Sequence, residues 1–429
     1  MAAPLRGDHH HVPMTASARQ TWANWANNQR FSVERIARPT SEEELIEVAR
    51  AQLRAGRPVG MAGSAHSFSP IVETSGLLLE TTGVHGVLCA DPTTGRADVL
   101  AGTTLAQLGR ELWAAGLSMK NMGDVDVQTF VGAISTGTHG SGPQWGTLSS
   151  TVTGMRLLTG TGELIEIDET QPDLLHAAQV SLGLLGVITR VTMEATGAYR
   201  IRESNRVLPL QDVLDAWDDA PAAHRHYSLF WAPTNDSAAL YGLPPIPADH
   251  CYVKMLTELP VLSDAERSAP VEGPVGGRTG PAHLIYPDTA DDEASWIELE
   301  YMVDVRCGRD AFLAMRALMQ HGFPEAISPI QVRWTRGEPA FLSPHHDHDT
   351  CSLSVSGLKR HDWDRFLRAV DETLRPFHPR PHWGKMGYMD PAGFRAAYPE
   401  LDRFLAIRAE LDPHGLFLND YFREAFSLS

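Results

Sequence analysis

Residues 123–142 read GDVDVQTFVGAISTGTHGSG, a stretch with five glycines set among Asp, Thr, Ser and His. Glycine costs roughly 1 kcal/mol per position in a regular element, so neither a long helix nor a long strand is expected here. The interleaved Val127, Phe130, Val131 and Ile134 read as buried, which argues against a flexible linker. What remains is a loop kept for close backbone approach to a flat cofactor. Upstream, Gly63-Ser64-Ala65-His66-Ser67-Phe68-Ser69 follows a short strand expected over 57–62. Its small residues would let backbone N–H groups form an anion nest around a pyrophosphate. Alone, that loop reads more readily as an ordinary strand-to-helix turn, and the second stretch tips the balance toward a ligand.

Working outward, Ser41 and Glu44 form a capping-box pattern ahead of Leu45, Val48, Ala49 and Leu53, which predicts a helix. Strands are expected over 76–80, 87–90 and 96–101, and a second helix over 104–115 with Gly116 as its stop. A hairpin over 153–167, a helix over 173–182 and a strand over 186–194 close a first unit of helices and mostly hairpin-connected strands. In a second unit, 260–281 reads as a surface loop. Strands at 295–303, 330–335 and 350–355, with helices at 309–319 and 363–373, predict a sheet covered by helices. The Pro-rich 375–381 marks a return to the first unit. The class is α+β, with no long βαβαβ series.

A chain of 429 residues exceeds the usual single domain, and two domains sharing a cleft are expected. Acidic residues outnumber basic ones, 53 to 36, with no Lys/Arg stripe, which argues against nucleic acid or an anionic membrane as partner. The substrate is expected to be neutral. Cys89, Cys251, Cys307 and Cys351 lie far apart, so neither a zinc ribbon nor a disulfide framework is suggested and a reducing cytoplasm fits. The N-terminal segment, with His9, His10 and His11, has no signal-peptide core, and no apolar run is long enough to span a membrane.

The pair GSAHSFS (63–69) and GAISTGTHGSG (132–142) resembles the vanillyl-alcohol-oxidase superfamily of flavoproteins and, within it, the aldonolactone and alditol oxidase group. QVRWTRGEPAFLSP (331–344), RPHWGK (380–385) and YPELDRFLAIRAELDPHGLFLNDYF (398–422) are similar to the same group, in matching order along most of the chain. The resemblance implies a PCMH-type FAD-binding domain over 1–197, an α+β cap or substrate domain over 198–381, and a segment, 382–429, returning to the first domain. It implies FAD bonded covalently through His66. The cofactor would be cradled by Ala62, Gly63, Ser64, Ala65 and Ser67, by Met122, Gly123, Gly132, Ala133, Ser135, Thr136, Gly137, Thr138 and His139, and by Gly186, Ile188 and Asn419. This chain has Ala65 where relatives usually have glycine, which narrows the backbone choices there.

The resemblance also sets Arg333 and Lys385 beside the flavin N5 and the reacting carbon. Hydride transfer leaves negative charge on the reduced flavin and requires the substrate hydroxyl to lose a proton, and fixed cations stabilise both changes. Relatives carry glutamate at the position of Gln331, and alditol oxidases carry histidine at that of Ser354, while Ser356 matches a hydroxyl residue that contacts substrate. A glutamine cannot act as a base or repel an anion, so a less negative site is expected. The activity implied is oxidation of a CH–OH group of a polyol or sugar lactone, with O2 as acceptor giving peroxide, or else a dehydrogenase using another acceptor. One rival signal, His345-His346-Asp347-His348-Asp349, holds residue types that ligate metals. Adjacent residues of an extended loop point in different directions, and a solvated loop is expected there instead.

Overall fold

A computed structural model describes residues 19–288 and 296–428; the N-terminal histidines lie outside this range. Ser41 caps a helix over Glu42–Arg54 by accepting the Glu44 N–H, and Leu45, Ala49 and Leu53 form its buried face. The Glu44 carboxylate reaches back one residue beyond the cap, to the Thr40 N–H at 2.8 Å. This helix packs on a three-stranded parallel sheet in the order Arg35–Ala37, Leu77–Glu80, Val59–Ala62. Beside it lies an antiparallel sheet ordered Leu164–Asp168, Val152–Leu158, Val187–Glu194, Arg96–Leu100, Val87–Asp91. A short hairpin, Gln20–Ala23 with Arg30–Val33, precedes both.

The C-terminal helices return to this first domain. Phe394, Tyr398, Phe404, Phe422 and Phe426 are buried in one core with Leu105, Leu108 and Val191. Burying each such side chain stabilises by about 1.5–3 kcal/mol, so the returning segment is held by packing rather than by sequence proximity.

The second domain is built on an antiparallel sheet whose central strands are, in order, His250–Pro260, His226–Ala232, Ile330–Thr335, Thr350–Leu358 and Trp296–Asp304. Period-2 alternation gives this sheet two unlike faces. Leu299, Tyr301, Val303, Val332, Leu353 and Val355 point to the helices Gly308–Gly322 and Trp363–Leu374, meeting Phe312, Met315, Phe366 and Val370. The opposite positions, Glu298, Glu300, Gln331, Arg333, Ser354 and Ser356, form a polar face in register, with Gln331 opposite Ser354, Ser354 opposite Glu300 and Ser356 opposite Glu298.

Three expectations are corrected. Val127 is 39% exposed, while Phe130 and Ile134 are buried; those two lie on a six-residue helix, Phe130–Ser135, and Val127 precedes its Thr129 cap. The segment 260–281 is not only loop: it carries a short helix, Asp264–Ser268, and an edge strand, Thr279–Pro281. The 345–349 loop is not solvated throughout, because His345 and His346 are buried. Their ring nitrogens meet the Thr350 hydroxyl at 2.6 Å and the Ala340 carbonyl at 3.1 Å, and among the described residues no group of three or more His, Cys, Asp or Glu could hold a metal ion.

Candidate functional site

A cleft runs through the first domain. Its walls include Ala62, Gly63, Ser64, Ala65, His66 and Ser67 on one side, Gly132, Ala133, Ser135 and Thr136 on another, and Gly186 and Ile188 on a third. Twin loops that the sequence separates are thus brought together. Thr129 is the reason they fit: its hydroxyl accepts the Gly132 N–H at 3.2 Å, and a Cβ on Gly63 would fall 2.0 Å from the same oxygen. Only glycine allows that approach. A cradle lined by small residues, with His66 on its wall, suits close backbone approach to the phosphates of FAD.

The other expected cofactor residues are not among those lining this cleft. Met122 and Thr138 are buried, and Gly123 and Gly137 belong to the same loop. Asn419 caps the last helix and ties it to the Pro70 carbonyl at 3.0 Å, which braces the first loop from outside. His139 faces the second domain: its Nε2 lies 3.1 Å from Glu300 Oε1.

Ala65 occupies the left-handed region at φ 59°, a conformation that costs a non-glycine residue roughly 1–2 kcal/mol. The chain therefore meets the narrowing expected from Ala65 by accepting the strain. The next residue, His66, stacks on Trp25 with ring centroids 4.7 Å apart. Burial, then the Lys385 charge, pushes the His66 imidazole down to about 4, so it is neutral near pH 7.

On the polar sheet face, Arg333 is buried with two carboxylates, Asp124 Oδ2 at 3.0 Å and Glu300 Oε1 at 2.5 Å. Burial opposes ionisation of Glu300, yet the Arg333 charge and the contact with His139 outweigh it and hold the carboxyl well below the usual carboxylate range. Asp124 is likewise held down, burial being outweighed by Arg333 and Lys254. Gln331 donates to Asp124 at 2.7 Å. Lys385 pairs with Glu298, whose other oxygen accepts the Ser354 hydroxyl at 2.6 Å. Ser356 meets the Tyr241 hydroxyl at 2.8 Å. Arg333, Gln331, Ser354, Ser356 and Lys385 thus share one surface.

Asp124 stands against the neutral Gln331, and Glu298 and Glu300 lie on the same sheet face. Sequence reading missed these three acids. One signal was available: Glu298 and Glu300 sit two apart in an apolar strand pattern, on one face. Asp124, inside the glycine-rich loop, carried no comparable mark, nor did Trp25.

Residues 33–168 match the family model of the FAD binding domain. With the cleft and the charged sheet face, this defines the class as a two-domain flavoprotein oxidoreductase. Residues 289–425 match the model of D-arabinono-1,4-lactone oxidase. The L-gulono-1,4-lactone dehydrogenase of Mycobacterium tuberculosis is 32% identical over 94% of this chain and 98% of its own length. The L-gulonolactone oxidase of Bos taurus is 28% identical over 94% and 97%, and the alditol oxidase of a Streptomyces species 29% over 94% and 98%. The chain belongs to the FAD-dependent aldonolactone and alditol oxidoreductase family. Cholesterol oxidase from B. sterolicum has the same fold, with a TM-score of 0.77 at 15% identity over 99% of this chain and 100% of that one.

Proposed function

We propose that this chain oxidises an alcohol carbon of a sugar lactone or polyol, with FAD bonded covalently to His66. The observation that carries the reading is the sheet face on which Arg333, Gln331, Ser354, Ser356 and Lys385 gather around hydrogen-bonding groups of both kinds. Such a surface suits a neutral substrate dense in hydroxyls, since donors and acceptors alternate over a few ångströms. FAD, when bound, takes up the hydride of the alcohol carbon.

The chain's own part is positioning and charge. Arg333, gripped by Glu300 and Asp124, is a fixed cation that needs no reorganisation during reaction. Lys385, paired with Glu298, supplies a second cation on the surface that carries Ser354. Negative charge that develops on the oxygen of a substrate hydroxyl held there would be stabilised by these two cations. The domains are read as 1–197 and 382–429 for cofactor and 198–381 for substrate. Four free cysteines suit a reducing cytoplasm, and among the described residues no helix is long and apolar enough to cross a membrane.

Acid precipitation tests the attachment: yellow colour stays with the wild-type pellet and leaves with the supernatant in His66→Ala. Colour retained by the His66→Ala pellet removes His66 from the assignment. Bleaching of the flavin by a panel of aldonolactones and polyols tests the substrate class, and no bleaching by any of them overturns it. Relatives carry both oxidase and dehydrogenase names, and peroxide formed under air decides between the two for this chain.

A further inference from the structure

We propose that the turn of the N-terminal hairpin, residues 24–29 with Trp25 at its centre, is the clamp that sets the His66 ring for bonding to FAD. The inference rests on the reading of His66 as the attachment residue and adds residues that nothing in the sequence motifs marks.

Three backbone carbonyls of the attachment loop are held by this one turn. Trp25 N–H donates to Ala65 O at 3.1 Å, Asn24 Nδ2 to Ser67 O at 2.8 Å, and Asn28 Nδ2 to Phe68 O at 2.7 Å. From the far side the C-terminal segment closes the grip, with Phe68 N–H donating to Gly384 O at 2.7 Å and the Ser69 hydroxyl to Trp383 O at 2.5 Å. The strained Ala65 is thus bonded on its own carbonyl, and the residue it leads into has its ring fixed too. Trp25 lies nearly parallel to His66, 21° between planes, with His66 on the cleft wall. Trp25 itself is wedged edge-on by Phe68 at 5.9 Å and Trp296 at 6.3 Å, so it cannot turn freely.

This arrangement answers a requirement of the covalent step. The new bond joins an imidazole nitrogen to the 8α carbon and replaces one N–H and one C–H bond; the two electrons and two protons released reduce the flavin ring, which the enzyme's acceptor later reoxidises. The nucleophile is a neutral ring nitrogen, and a nitrogen must point along the line of attack. Stacking fixes the plane of the imidazole without drawing on its nitrogens, whereas a hydrogen-bonding partner would engage one of the two. Trp25 is therefore a positioning residue.

The test compares wild type, Trp25→Leu, Trp25→Phe and Asn28→Ala for flavin in the acid pellet against flavin released, each normalised to protein, alongside melting temperature. Expected is a tenfold or greater fall in the covalent fraction of Trp25→Leu with total FAD and melting temperature close to wild type, and recovery to within about twofold in Trp25→Phe. A packing role alone would lower stability and total FAD together and leave their covalent share unchanged. A wild-type covalent fraction in Trp25→Leu overturns the clamp. Should Trp25→Leu lose FAD altogether, Asn28→Ala decides: a covalent fraction reduced at least threefold supports the clamp and an unchanged one overturns it. Flavin released from wild type itself would instead mean that the attachment reading has failed, a result visible before any variant is compared.

Discussion

Gln331 Nε2 and Arg333 Nη1 converge on one oxygen of Asp124, at 2.7 and 3.0 Å. Two residues on one face of a strand are thus tied to the glycine-rich loop of the other domain. A carboxylate thus stands within hydrogen-bond reach of Gln331, whose neutral amide donates to it.

Gln331→Glu would set two carboxylates against each other in a half-buried place, where like charges cannot both ionise without cost. The introduced carboxyl is expected to have a folded pKa above its unfolded one. A raised folded pKa contributes stability below the unfolded value that is lost as pH rises, so the variant should be weaker than wild type by about 1–2 kcal/mol at pH 8 and approach it at pH 5. Adding Asp124→Asn should restore most of the loss. Equal melting temperatures for wild type and Gln331→Glu at pH 8 would place Asp124 away from that side chain.

Acid should weaken the fold before the carboxylates titrate. Burial, helped by Arg225, pushes His226 down to about 3, and burial with the Lys385 charge pushes His382 to about 3, against a partial opposing pull from Glu300. A histidine whose folded pKa is depressed contributes stability that is complete above its unfolded value, near 6.5, and is lost as pH falls below it. Melting temperature should therefore drop from about pH 6.5 downward. Glu300 and Asp124, also depressed, add their loss only below about pH 4. His226→Asn should flatten the upper part of that slope; a curve of unchanged shape would mean that His226 is protonated in the fold.

Legibility in the sequence followed periodicity and glycine. The capped helix at Glu42–Arg54, the hairpin of Val152–Leu158 with Leu164–Asp168 and the two covering helices could be read because one face of each differs in chemistry from the other. The strand His226–Ala232 escaped notice because it is buried on both faces and shows no alternation. The hairpin at Gln20–Ala23 escaped because strands so short carry little pattern. In the site, the motif loops were visible while Asp124, Glu298, Glu300 and Trp25 were not, since their meaning lies in contacts remote in sequence: Asp124 with Arg333, Glu300 with His139, Glu298 with Lys385 and Trp25 with His66. The His345–His346 pair shows the reverse error: polar letters in a loop suggested solvent, yet a hydroxyl and a carbonyl satisfy one nitrogen of each ring inside the protein.

Arg333 and Lys385 call for different substitutions, because they differ in what they leave behind. Removing the Arg333 side chain takes the cation from buried Glu300 and half-buried Asp124, and breaking a buried pair costs about 3–5 kcal/mol, so Arg333→Ala should lose stability as well as activity. Arg333→Lys keeps the charge but cannot engage both carboxylates with a fixed fork. It should stay folded, bind FAD and show flavin reduction slowed by a larger factor than its loss of substrate affinity. Lys385 is partly exposed and has one acidic partner, Glu298, which can turn to solvent when the lysine is gone. Lys385→Met should therefore keep wild-type melting temperature to within a few degrees and retain its yellow colour, while anaerobic flavin reduction slows roughly a hundredfold, the effect of about 3 kcal/mol of lost transition-state stabilisation. Stopped-flow absorbance with a saturating lactone or polyol measures that step apart from reoxidation. An unchanged rate in Lys385→Met would reduce the ion pair with Glu298 to a structural tie and leave Arg333 as the one cation acting on the reacting carbon.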